Sequence, residues 1–356
     1  MKKILQLARD MRRNPKLFWD SIKDKRNNSV LDDCEEAVDH FNKLLNVDQR
    51  PRSISELLIE AHVTVEDTQS NSPSPIGVED LNDRITIWEV LAALNAQANG
   101  KSTADDFVSE LFKYAKVKED KAWVNLVAGY LQKIFDKVFS EGISIPPTWK
   151  KAYLVALYKG KGDKYNWDNY RGISILSTFY KIFCSILNAR LVKFCDINDY
   201  RALTQCGFRK KMSTTVASFV LLHSIVQTCS LSTKGGRNGA LFVCFVDFKK
   251  AFDSVIRILL WKRLASLGIN GKMLEVIKEI YRETKLQVKI NGKISQGYVI
   301  TISGVKQGCP ISPLLFGLFI EQLQMYLHEK CPGIKVIVIE EASLCEILFA
   351  DDVSLM

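Results

Sequence analysis

The sequence predicts an α+β fold, a small sheet packed on helices and preceded by a helical N-terminal extension. Three observations carry that expectation. Apolar residues recur at helical spacing over long stretches, between short β-rich runs. Two of those runs deliver carboxylates: Leu241 to Val246 leads into Asp247, and a second enters Phe349-Ala350-Asp351-Asp352. Between them, Gly304, Gly308, Pro310 and Pro313 mark a tight turn ahead of a helix.

The chain has 356 residues, room for two or three domains and a sizeable core. We divide it into a basic helical extension and linker (1–77), a helical region (78–240) and a carboxylate-bearing region (241–356). Lys and Arg number 49 against 40 Asp and Glu, a formal charge of +9 that favours a polyanionic partner such as nucleic acid. No apolar run reaches the ~20 residues needed to span a bilayer. The N-terminus turns charged too soon for a signal peptide. Nine cysteines without a C-x-x-C pair read as reduced thiols, and His40, His62, His223 and His328 show no metal-ligand spacing.

Residues 1–46 read as amphipathic helix, with Arg12, Arg13, Lys16, Lys23, Lys25 and Arg26 around Leu17, Phe18 and Trp19. That cluster is either a solvated face with an aromatic anchor or a nucleic-acid contact. Residues 47–77 read as linker, and helical periodicity returns from Val78 to about Gln97. From Glu119 to Phe139, the residues Trp123, Leu126, Val127, Tyr130, Leu131, Ile134, Phe135 and Val138 follow the spacing of one buried helix face. Pro146-Pro147 breaks it. Ala152 to Tyr158 reads as a strand, Lys159 to Lys164 as a basic turn, and Ile173 to Ile175 as a short strand. Helices are expected at about 178–194 and 214–229, with a loop over Lys234 to Gly239. The run into Asp247 reads as a buried strand. Helices over about 258–282, a hairpin turning at Asn291-Gly292, a helix from Pro313 to Glu329 and strands over Lys335 to Ile339 and into Asp351 complete the pattern.

Three acids at strand ends suit hard divalent cations, and two such ions about 3.5–4 Å apart can activate a 3′-hydroxyl and stabilise a pyrophosphate leaving group. The order of these features suggests a polymerase palm. Side chains alternate along a strand, so Asp351 is expected to take the main metal role and Asp352 to assist or sit at the rim. Asp253 reads as the cap of the following helix rather than a ligand. Phe252 either fills the space a ribose 2′-hydroxyl would need or simply packs in the core. Gln307 can donate and accept hydrogen bonds beside the flexible Gly308. Lys159, Lys161 and Arg171 precede the metal strand and are either phosphate contacts or surface charge.

Several stretches together resemble the reverse transcriptases of non-LTR (LINE-type) retrotransposons. They are Asn169-Tyr170-Arg171-Gly172-Ile173-Ser174-Ile175-Leu176-Ser177 with Tyr180-Lys181, and Gln205-Cys206-Gly207-Phe208-Arg209-Lys210 with Ser213-Thr214-Thr215. Next come Asp247-Phe248-Lys249-Lys250-Ala251-Phe252-Asp253-Ser254-Val255, the segment Gly304 to Phe316, and Phe349-Ala350-Asp351-Asp352. They span roughly 150–356, and their joint order is specific; residues 1–150 are similar to the family's basic region more weakly.

The resemblance implies right-hand polymerase fingers and palm, with a ferredoxin-like palm sheet, copying an RNA template into DNA from a DNA primer with dNTPs. It implies two Mg²⁺ ions, with Mn²⁺ as a possible substitute, held by Asp247, Asp351, Asp352 and the Phe248 carbonyl. It also implies Arg171 and a preceding lysine, taken as Lys159, on the triphosphate, Phe252 as the 2′-hydroxyl gate, and Gln307 with Gly308 lining the nucleotide pocket. Localisation in the nucleus and/or cytoplasm follows from the family's way of life alone. Two departures stand out. Lys101-Ser102-Thr103-Ala104-Asp105-Asp106-Phe107 replaces the family's Gly-Pro-Asp-Gly-type turn, and nothing follows Met356, so the thumb is expected to be missing. An incomplete, weakly active or inactive fragment is expected; the alternative is a non-catalytic nucleic-acid-binding remnant of a mobile element.

Overall fold

The computed structural model describes residues 31–45, 75–105, 107–119, 122–142, 144–233, 241–248, 250–282, 284–330, 334–335 and 343–356. Most of the expected extension and linker, the loop over Lys234 to Gly239, and Val336 to Ile339 lie outside the described residues. The chain opens with α1 (Cys34–Leu45), α2 (Val78–Asn82), α3 (Ile87–Ala96) and α4 (Ser109–Lys113). A hairpin of β1 (Lys116–Glu119) and β2 (Ala122–Asn125) precedes α5 (Ala128–Ser140) and α6 (Pro147–Lys150). Then follow β3 (Ala152–Tyr158), β4 (Tyr170–Leu176), α7 (Thr178–Ile197), α8 (Thr214–Thr233) and β5 (Cys244–Asp247). Next are α9 (Arg257–Ser266), α10 (Gly271–Tyr281), β6 (Thr284–Ile290), β7 (Lys293–Ile294) and β8 (Val299–Thr301). The chain closes with α11 (Ser312–Lys330), β9 (Ile334–Lys335), β10 (Ser343–Leu344), β11 (Glu346–Phe349) and β12 (Asp352–Leu355).

Two sheets frame the site. In the larger, β3 is central, antiparallel to β4 and parallel to β6, and β6 carries β7 and β8 at its other side. In the smaller, β12 lies between β11 and β5, antiparallel to both. The fold is thus α+β, as the sequence predicts. The core runs continuously from α1 and α5 through α7 to α10 and α11. In α7, Ile182, Phe183, Ile186, Leu187 and Leu191 are buried, the i, i+4 pattern of a helix face covered by neighbours.

Capping fixes how these helices join. Ser177 accepts from the Tyr180 amide, and the Asp105 carboxylate accepts from the Thr178 amide and hydroxyl at 2.8 and 3.1 Å. The altered loop at 101–107 therefore supplies an anchor for the start of α7. Arg190, half-buried on α7, grips both Glu89 carboxylate oxygens and the carbonyls of Leu81, Asp83 and Arg84. Glu89 is also the far half of a capping box with Thr86, so one guanidinium locks the break between α2 and α3.

Three expectations need correction. The stripe from Glu119 to Phe139 is not one helix: Lys116 to Asn125 forms a hairpin with Val117 opposite Val124. Asn125 then accepts from the Val127 and Ala128 amides and starts α5 there. The buried face of α5 is Ala128, Leu131, Phe135, Val138 and Phe139, while Tyr130 is 70% exposed and Leu126 and Ile134 also face solvent. Lastly, the strand into Asp247 is shorter than expected and not buried. It is an edge strand with β12 as its one partner among the described residues, and Phe242 and Phe245 are 85% and 71% exposed.

Candidate active site

Two of the three carboxylates are paired across the smaller sheet. Phe349 pairs with Asp352, so Ala350 and Asp351 form a two-residue hairpin turn. Ala350 has φ 61°, a left-handed conformation that costs a residue with a Cβ. Asp352 in turn pairs directly with Asp247 across β12 and β5. Residues directly opposite on antiparallel strands project to one face. The register thus sets Asp352 opposite Asp247, with Asp351 next to it in the turn. Asp247 and Asp352 are exposed and Asp351 is half-buried; among the described residues none of the three has an ion-pair partner. Phe248 follows Asp247 directly and packs its ring against the core. No three His, Cys, Asp or Glu side chains among the described residues stand together as a ready metal cage.

Beyond β11 the backbone of Thr204 to Cys206 runs parallel to it. Cys206 N donates to Leu348 O at 2.7 Å, and Leu348 N donates to Thr204 O at 2.9 Å. This short run covers the edge of the carboxylate sheet.

The glycine-rich segment wedges between the turn after β5 and strand β4. Gly304 has φ 75°, and a Cβ there would lie 2.7 Å from the Asp253 Cα. Gly304 N and Val305 N donate to Val255 O and Phe252 O, each at 2.8 Å. Gly308 has φ 101°, and a Cβ there would meet the Ser174 carbonyl at 2.7 Å. Only glycine allows both approaches. Ser174 N donates to Gln307 O at 3.2 Å, which ties the segment to β4. Behind it, the Arg257 guanidinium donates to the carbonyls of Gly304, Tyr281, Thr301 and Ser303 and to the Thr301 hydroxyl. Lys306 is buried, donates to Ile280 O and the Tyr180 hydroxyl, and lies over the Tyr180 ring; burial pulls its pKa down to about 8.

Asp253 does not cap α9. That helix starts at Arg257 behind Ile256, with no side-chain cap, and Asp253 instead accepts from the Gln307 amide at 3.3 and 3.4 Å. Burial pushes its pKa up to about 6, against the opposing pull of Gln307 and Lys250. A carboxylate only accepts, so the Gln307 amide nitrogen must face it and its oxygen points elsewhere. A small cavity at this junction is lined by Ser174, Asp253, Ser303, Gly304, Lys306 and Gln307.

Phe252 stacks on Phe316 at 4.8 Å between centroids and meets Phe208 edge-on at 5.9 Å. Arg171 is exposed on β4 opposite Leu157, three positions before Ser174. Lys159 is engaged locally, its ammonium donating to the Asp168 carbonyl at 2.5 Å. Sequence reasoning missed the hold of Asp253 on Gln307 and the hold of Arg257 on the segment's carbonyls. The signal for the second was an arginine among apolar residues at a helix start.

Residues 159–356, more than half of the chain, match the family model described as reverse transcriptase (RNA-dependent DNA polymerase). The chain belongs to this family. It is similar to the transposon TX1 uncharacterized 149 kDa protein of Xenopus laevis, 27% identical over 78% of this chain and 20% of that protein. It is similar also to a retrovirus-related Pol polyprotein from the type-1 retrotransposable element R2 of Popillia japonica, 29% identical over 60% of this chain and 28% of that one. A third relative is the RNA-directed DNA polymerase from mobile element jockey of Drosophila melanogaster, 26% identical over 64% of this chain and 23% of that protein. All three relatives come from transposable elements, and the chain spans between 20% and 28% of their length. Among the described residues no helix is long and apolar enough to cross a membrane.

Proposed function

We propose that this reverse transcriptase chain carries the fingers and palm of an RNA-directed DNA polymerase, extending a DNA 3′-hydroxyl with dNTPs on an RNA template. The observation that carries this reading is the register that sets Asp352 opposite Asp247, with Asp351 in the adjoining turn. Two like charges in cross-strand contact repel, and no basic side chain among the described residues neutralises them. A hard divalent cation removes that repulsion, and Mg²⁺ accepts a few carboxylates while keeping sites for water and substrate phosphate. The donor set therefore fits Mg²⁺, with Mn²⁺ as a substitute. Asp247, Asp351, Asp352 and the Phe248 carbonyl would hold two ions, which when bound would lower the pKa of the primer hydroxyl and offset charge on the departing pyrophosphate.

The remaining residues orient the nucleotide. Arg171, exposed on β4, offers a planar fork to triphosphate oxygens, and Lys159 adds charge once released from the Asp168 carbonyl. Gln307 and Gly308 line the nucleotide pocket, the glycine letting backbone approach closely. Phe252, braced by Phe316, would bar a ribose 2′-hydroxyl. In this reading the fingers fall within 78–240 and the palm within 241–356, joined in one sheet by the pairing of β3 with β6, and the chain would work on chromosomal or cytoplasmic nucleic acid.

The test is a gel assay of primer extension with an RNA template, a DNA primer, dNTPs and Mg²⁺. Asp247→Ala or Asp351→Ala should abolish extension while leaving template–primer binding intact. Retained extension would reject the metal assignment, and binding without extension by the unaltered chain would favour the remnant reading. Phe252→Ala should raise ribonucleotide incorporation; unchanged sugar discrimination would leave it a packing residue.

A further inference from the structure

We propose that Gln205 is a positioning residue for the carboxylate hairpin, its side-chain amide holding the Ala350 peptide groups and thereby setting where Asp351 and Asp352 stand relative to Asp247. Gln205 is 8% exposed. Ala350 N donates to its Oε1 at 3.0 Å, and its Nε2 donates to Ala350 O at 3.2 Å. The same Oε1 also accepts from Gly207 N at 2.7 Å. A backbone N–H can only donate and a carbonyl only accept, so these partners fix the orientation of the amide.

Three features make this hold more than packing. Ala350 is the left-handed residue of the turn, and such a conformation persists where surrounding structure over-determines it. Gln205 bonds to that residue and to no other of the hairpin. Gly207 approaches so closely that a Cβ on it would lie 2.2 Å from Ala350 N. The motif Gln205-Cys206-Gly207 thus contributes a neutral donor–acceptor pair and a position with no room for a side chain. Glutamate would keep the acceptor and lose the donor. Alanine would lose both and leave the buried Ala350 groups unpaired.

The catalytic consequence rests on the proposed copying chemistry, whereas the hold itself does not, and the experiment separates them. Hydrogen exchange of the whole 356-residue chain should be followed by mass spectrometry for Gln205→Ala, Gln205→Glu and Gly207→Ala. The expected result is exchange about tenfold or more faster in residues 346–355 of Gln205→Ala, with β3 and α7 unchanged. Gln205→Glu should fall between it and the unaltered chain, and Gly207→Ala should show the same local loosening. In primer extension, kcat should fall with little change in dNTP KM. Unchanged exchange in residues 346–355, or exchange raised equally across the chain, overturns the proposal. Should Gln205→Ala fail to fold, Gln205→Glu and Gly207→Ala carry the same comparison. An unaltered chain that extends no primer counts against the copying activity, while the exchange result still decides the role of Gln205.

Discussion

Two tight turns in this chain are held by opposite kinds of clamp. The glycine-rich segment, with Gly304 and Gly308 at positive φ, is held by cations: Arg257 reaches the carbonyls of Thr301, Ser303 and Gly304, and Lys306 is itself buried. The carboxylate hairpin, with Ala350 at positive φ, is held by backbone pairing and one neutral amide. The difference is electrostatic. An arginine or lysine set beside Asp247, Asp351 and Asp352 would pair with them and compete with a divalent ion. Away from the carboxylates, a guanidinium can satisfy several carbonyls at once. The clamp cations thus stand at the loop, while among the described residues Asp247, Asp351 and Asp352 have no ion-pair partner.

The comparison can be broken most severely at the loop. Arg257→Ala leaves several carbonyls without a donor and should cost about 3–5 kcal/mol of unfolding free energy by denaturant titration. Arg257→Lys should recover little, because one ammonium cannot span the same fork. A loss under 1 kcal/mol would show the cation clamp to be dispensable. Gly308→Ala comes next, at about 1–3 kcal/mol, from backbone strain and contact with the Ser174 carbonyl; a neutral result would mean that the segment shifts freely on β4.

Asp253→Asn has the opposite sign and depends on pH. The folded pKa of about 6 lies above the ordinary carboxylate value, so the native state favours the proton. That contribution is full below about pH 4 and is lost as pH rises through 6. Asparagine stays neutral throughout, so the variant should be more stable than the unaltered chain by about 1–2 kcal/mol at pH 8, with the gap closing by pH 4. An equal gap at both values would show that Asp253 ionises freely. The smallest effect sharpens the contrast. Without divalent ions, Asp247→Asn should stabilise the chain by about 0.5 kcal/mol, relieving repulsion from Asp352. Millimolar Mg²⁺ should then raise the melting temperature of the unaltered chain and not of the variant. Destabilisation by this change in metal-free buffer would mean the two acids are not neighbours in charge.

Much of this was legible in the sequence. The strand Ala152–Tyr158, the Asn291-Gly292 turn with both residues at positive φ, and the helix beginning just before Pro313 all announce themselves by local chemistry. The hairpin at Lys116 to Asn125 was not, because the apolar run Trp123 to Val127 fits a helical stripe until Asn125 is read as a cap. The pairing of Asp352 with Asp247 was hidden too. The turn is set by the backbone of Ala350, where no glycine signals it. An amide bound to a distant peptide group, as at Gln205, leaves no periodic trace in the chain. The edge strand at Cys244–Asp247 misled for a different reason: its apolar run looks buried, yet one neighbouring strand cannot cover it.

The small sheet also has a kinetic consequence. β11 and β12 are neighbours in sequence and can pair quickly as a local hairpin. β5 and the Thr204 to Cys206 run come from far upstream and must pay loop-closure entropy before they add contacts. The acids are therefore expected to come together late in folding, after the helical core has formed. A partly folded chain would hold nearly all of its apolar interior and still lack the register that sets Asp352 opposite Asp247.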